Sequence, residues 1–187
     1  MSNYSTLWQR FAASFIDSFV IMALANALWV LEYFSKTAAW ILVIPTAIVF
    51  VGYPIYCHGR FGQTVGKRAM RIRVVRTTGE RIGWREAYLR SIGGLFFSVF
   101  SVIGSFVALA TIAATDYYGV GWLKHLQNLV ACQPAWLAWT TPASQILLSS
   151  DVVVILFNKR RRALHDFIAG TVVIAEPKIP VAQTDTA

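Results

Sequence analysis

The sequence predicts an all-α membrane protein with four transmembrane helices and a basic cytoplasmic loop that contains a short β-hairpin-like element. Three observations predict it. Hydrophobic residues make up 56% of the 187 and charged ones only 14%, with a mean hydropathy of +0.54. That is too apolar for an ordinary soluble domain. Four apolar blocks, near 11–31, 38–56, 91–113 and 135–157, each approach the roughly 20 residues that a spanning helix needs. Finally, nine cationic side chains crowd between Arg60 and Arg90, in the gap between the second and third blocks. Loops rich in Lys and Arg stay on the cytoplasmic side during insertion. With that loop and both termini inside, fifteen of the seventeen Lys and Arg are cytoplasmic and only Lys36 and Lys124 lie opposite. A cell membrane location with both termini cytoplasmic is therefore expected. The chain reads as one transmembrane domain over 1–175 followed by a flexible tail, 176–187.

The first block, FAASFIDSFVIMALANALWVL from Phe11 to Leu31, opens behind Arg10. Ala25-Asn26-Ala27 has the small-x-small form of a cleavage site, but Asp17 interrupts the apolar run and one basic residue precedes it, so a retained helix is expected rather than a signal peptide. The turn Glu32–Thr37 is short enough to send the second block back antiparallel. Pro45 and Pro54 in that block free backbone carbonyls and should bend it. Inside the loop, MRIRVVR (Met70 to Arg76) alternates apolar and cationic residues before a turn at Thr77–Glu80, which reads as a strand. Trp84 to Arg90 then has the spacing of a short interfacial helix. The third block holds Gly93, Gly94 and Gly104, small residues that allow close helix packing. Between the third and fourth blocks, Trp122, Leu126 and Leu129 share one face of a helix expected to lie on the outer surface. Asn158 to Arg162 stops the fourth block, and Thr171 to Ala175 offers a second β-branched run, expected to pair with Arg71 to Arg76.

The net charge of +8 and pI near 9.9 suit orientation and anionic lipid better than nucleic acid, because the cations fill the gaps between apolar blocks. Cys57 and Cys132 fall at opposite faces in this topology, so no disulfide is expected. Gly62-x-x-x-Gly66-Lys67 is one residue short of a phosphate-binding loop, and Arg68 stands where Ser or Thr would hold magnesium. No cofactor, metal-ligand spacing or nucleophile motif is legible, and the chain is not expected to be an enzyme.

Three stretches in order, RFAASFID at 10–17, GQTVGKRAMRIRVV at 62–75 and RRALHDFIAGTVVI at 161–174, resemble the RDD family of integral membrane proteins. The resemblance implies a small helical membrane domain named for one arginine and two aspartates. Arg10 and Asp17 match the first two of these. The second aspartate maps onto Asp166, with Asp151 a competing candidate. Family members often read GQTPGK where this chain has Val65, and the residues from Ser91 to Phe157 match only in being hydrophobic. The resemblance further implies transport of ions or small ligands.

Arg10, Asp17, Asn26, Asp151 and Asp166 are the candidate site residues. A carboxylate inside a membrane costs several kcal/mol unless it is paired, neutral or facing water. Asp17 thus marks either a cation or proton site or an interhelical hydrogen bond, and Asp151 has the same two readings. Each lies seven residues from the inner end of its span, so the two carboxylates would face each other if the first and last helices touch. Asp166 is expected to bind a cation or backbone amides of the basic loop, with His165-Asp166 structural rather than a proton relay. Two function classes lead. One is proton-coupled transport of a cation or small ligand; the other is a non-catalytic scaffold or accessory subunit that binds anionic lipid or a partner through the basic loop. A homo-oligomer or a partner membrane protein is a candidate partner, and transport through so small a chain would require oligomerisation.

Overall fold

The computed structural model describes residues 4–176, so apart from Glu176 the expected tail lies outside the described residues. Four helices long and apolar enough to cross a bilayer form the body: α1 (Leu7–Phe34), α2 (Lys36–Phe61), α5 (Ile92–Thr111) and α8 (Thr140–Phe157), the last entered through a 3₁₀ turn at Ala135–Trp139. Between them lie α3 (Val65–Ala69), β1 (Ile72–Arg76), α4 (Trp84–Arg90), α6 (Ala114–Tyr117) and α7 (Trp122–Ala131), and α9 (Leu164–Ile168) and β2 (Thr171–Ala175) follow. All four expected spans are present.

Local chemistry sets the helix boundaries. Thr6 caps α1 through a capping box, its hydroxyl accepting from Gln9 N while Gln9 Oε1 accepts from Thr6 N at 2.9 Å, so two orphan amides of the first turn are satisfied. Ser35 closes α1 and, with its side chain accepting from Ala38 N, opens α2, which makes the hairpin tight. α2 continues unbroken through Pro45 and Pro54 and ends at Gly62, whose φ of 73° is left-handed, the ending that glycine favours.

Packing runs α1 on α2, α2 on α5 and α5 on α8. Gly93 and Gly104 lie against α8 and its entry turn: a Cβ there would come within 2.5 Å of Leu147 and 2.3 Å of Leu137. In the most apolar window of each span only 6% to 17% of residues are buried within the protein, and Phe11, Phe15 and Phe19 stand exposed along one flank of α1. The faces left open are those a bilayer covers.

A small cap closes one end of the bundle. In it, β1 and β2 pair antiparallel in the register Ile72 to Ala175, Val74 to Val173 and Arg76 to Thr171, as the two β-branched runs predict. The return arm after the Thr77–Glu80 turn adds one bridge, Val75 to Arg81, and Tyr4 bridges Ile174 from the other edge. Ile72, Val74, Ile82 and Val173 form the cap's core together with Ala13 of α1. The sheet is therefore seated directly on the first turns of α1.

Candidate functional site

Asp166 is fully buried at the centre of the cap. Arg10 from α1 donates to its Oδ2 at 2.8 Å, Arg90 from the end of α4 donates to its Oδ1, and the Ala163 amide adds a bond of 2.9 Å. Arg10 Nε also donates to Ser5 at 2.9 Å, and Arg90 to Thr171. Burial alone would raise the Asp166 carboxyl, but Arg90, His165 and Arg10 around it outweigh that and hold it well below the usual carboxylate range. One carboxylate thus joins α9 and the neighbouring β2 to α1 and α4, which are distant in sequence.

Asp17 forms a second, separate node. It accepts from Tyr53 Oη at 2.8 Å, from the Thr64 hydroxyl and from Gly66 N at 2.8 Å. The motif GQTVGK supplies two of these donors. Gly62 ends α2, Thr64 caps α3 and bonds Asp17, and Gly66 lies so close to α1 that a Cβ would stand 2.0 Å from the Ala13 carbonyl oxygen. The loop does present a backbone amide to an anion, as a phosphate loop would, but the anion is the chain's own Asp17. Lys67 follows, with Nζ 3.1 Å from His58 Nε2. Burial, with Arg90 adding repulsion, brings the Lys67 ammonium down to about 8 against the pull of Asp17 and Asp166.

Asp151 does not face Asp17. Its oxygens accept from Leu164 N at 2.9 Å and pair with His165 Nδ1 at 2.8 Å. The helix order explains the difference, since α8 packs on α5 rather than α1 and turns its carboxylate toward α9. His165 Nε2 lies 3.7 Å from Asp166, so a chain of ionisable groups runs from Asp151 through His165 and Asp166 to Arg10 and Arg90. Asn26 stands apart, its amide bonded back to Met22 O at 2.9 Å. Of the five candidates, Arg10 and Asp166 meet directly, Asp151 reaches them through His165, and Asp17 and Asn26 do not. Arg90, Tyr53 and Thr64 carry no signal in the sequence beyond their neighbourhood to the motifs.

The cap's outer surface is cationic. Arg68, Arg71, Arg81, Arg85 and Lys159 to Arg161 are exposed and form no ion pair among the described residues. Arg60, Arg68, Arg73 and Arg81 line a hollow of about 570 Å³ whose one acid, Glu176, is held by Arg73 at 3.0 Å. Among the described residues no group of three or more His, Cys, Asp or Glu is placed to hold a metal ion.

No curated protein and no solved structure matches the chain. The RDD family model matches residues 4–116, which include Arg10, Asp17 and the GQTVGK loop; Asp166 and β2 lie beyond the match. With more than half of its length matched and four membrane-spanning helices, the chain is a multi-pass membrane protein that belongs to the RDD family.

Proposed function

We propose that this protein is a non-catalytic membrane module, seated in the cell membrane with its cap and both termini in the cytoplasm, whose cationic cap surface binds anionic lipid headgroups. The observation that carries the reading is the division of charge. The candidate carboxylates Asp17, Asp151 and Asp166 are each bonded inside the protein, whereas seven cap cations are exposed and unpaired among the described residues. Juxtamembrane cations attract anionic lipid by about 1 kcal/mol each near the surface. The clustering of the cations at one end supports an orientation with that surface at the anionic leaflet.

Native mass spectrometry of the purified protein with equimolar phosphatidylglycerol and phosphatidylcholine tests this. Preferential retention of phosphatidylglycerol, lost on combining Arg68→Gln, Arg81→Gln and Arg85→Gln, is the expected result; equal retention of both lipids rejects it. Proton-coupled transport through Asp17 and Asp151 has less support, because three donors of the protein already hold Asp17 and the two carboxylates do not share a cleft. Its test is flux of sodium, potassium or protons in sealed proteoliposomes. Flux that Asp17→Asn abolishes without unfolding the protein would restore that reading.

A further inference from the structure

At the end of the bundle opposite the cap, α1, α2, α5 and α7 line a partly open cavity of about 500 Å³, within the range of small-molecule sites. Its walls include Trp29, Tyr33, Tyr117, Trp122 and His125, and one acid, Glu32. The aromatic wall is fixed in place. Tyr33 meets the Trp122 and His125 rings edge-on at 5.3 and 5.1 Å, and its hydroxyl donates to Val120 O at 2.7 Å. His125, 2% exposed, bonds the Tyr117 carbonyl through Nδ1 at 3.0 Å, and the Tyr117 hydroxyl donates to the Glu32 carbonyl. Glu32 has fewer partners than the other candidate carboxylate of α1, Asp17, which three donors hold. Thr46 donates to its Oε1 at 2.7 Å, and among the described residues no cation pairs with it. Lys36, four residues on, sends its ammonium to the Ile112 carbonyl at 2.8 Å instead.

We infer that this cavity binds an organic cation, an ammonium group with an apolar body, which Glu32 neutralises and the Trp29, Tyr33 and Trp122 rings surround. A partly buried carboxylate without a counter-ion costs free energy that a bound cation recovers, and ring faces attract ammonium groups within about 6 Å of their centroids. No Lys or Arg lines the cavity, so the wall offers an anion no permanent positive charge. The inference is independent of lipid binding at the cap, which lies at the other end of the bundle.

The experiment is a titration of the protein in lipid nanodiscs with benzyltrimethylammonium, benzyl alcohol and benzoate, which share a ring and differ in charge. Binding is followed by tryptophan fluorescence, since Trp29 and Trp122 line the cavity. Benzyltrimethylammonium is expected to saturate at concentrations at least about tenfold lower than either comparator, as one good charge and ring contact supplies. Glu32→Gln keeps an oxygen for Thr46 and should weaken only the cation, again by about tenfold. Absence of a saturable signal in wild type, equal binding of benzyl alcohol, or an unchanged Glu32→Gln titration would overturn the inference. Should that variant not fold, the three-probe comparison on wild type decides.

Discussion

Asp17 of α1 and Gly66 of α3 act as one contact. The carboxylate needs three donors, and Gly66 supplies one only because its missing side chain lets α3 lie against the Ala13 carbonyl. Asp17→Asn keeps an acceptor for Tyr53 and Gly66 and an amide that the Thr64 hydroxyl can meet, so it should cost about 1 kcal/mol. Asp17→Ala strands three donors and should cost about 3 kcal/mol or more at 1–3 kcal/mol per unsatisfied buried group. Thermal unfolding in detergent distinguishes the two, and equal melting of both variants would show that Asp17 is not the latch. Gly66→Ala should be destabilising by at least about 1–3 kcal/mol, because a methyl has no room against a backbone carbonyl. Val65→Pro should be close to neutral by the same measurement. Val65 N donates to Tyr53 Oη at 3.1 Å, a bond that proline forfeits, yet proline at the first helical position is preorganised for the helix and stabilises by about 0.4–1 kcal/mol.

The cap's elements depend on each other more than on their own propensities. α3 and α9 are five residues each and β1 and β2 five each, too short to persist alone. Asp166 ties them to α1 and α4, so Asp166→Ala should lower stability by about 3–5 kcal/mol, the usual cost of leaving buried arginines without their partner. The pH dependence has a definite sign. Because the folded carboxyl is held below its unfolded value, its contribution is fully present above about pH 4 and is lost as the solution becomes more acidic. Wild type should therefore lose melting temperature below about pH 4 more steeply than Asp166→Asn, and parallel curves would contradict the assignment. The four spans and the β1–β2 pairing were legible in the sequence because each rests on a local signal, an apolar run or a β-branched alternation. The partners of the aspartates were not. Seven-residue spacing from a helix end gives depth, but which helices touch depends on packing across the bundle, and α8 turned Asp151 toward His165 instead. The role of Glu32 is hidden in the sequence for a related reason, since it reads as part of a polar turn until α6 and α7 close over it.

At the scale of the whole molecule the two ends are chemically opposite. One presents the arginine-rich cap, and the other an aromatic cavity with a single acid, with Lys36 and Lys124 the only Lys or Arg placed at that end in the predicted topology. An orientation that put fifteen of the seventeen Lys and Arg outside would contradict the charge rule for short loops. The two thiols offer a direct check, because Cys132 is partly exposed at the end of α7, on the cavity side, whereas Cys57 is buried beside the cap. A membrane-impermeant maleimide added to intact cells should label Cys132. In a Cys132→Ser background, Arg85→Cys places a thiol on the exposed surface of α4 and should be labelled only after the membrane is permeabilised. The reverse pattern would invert the topology and, with it, move the cationic surface away from the cytoplasmic leaflet whose anionic headgroups it is proposed to bind. Labelling of both positions from outside would mean that the cap is not shielded by the bilayer at all.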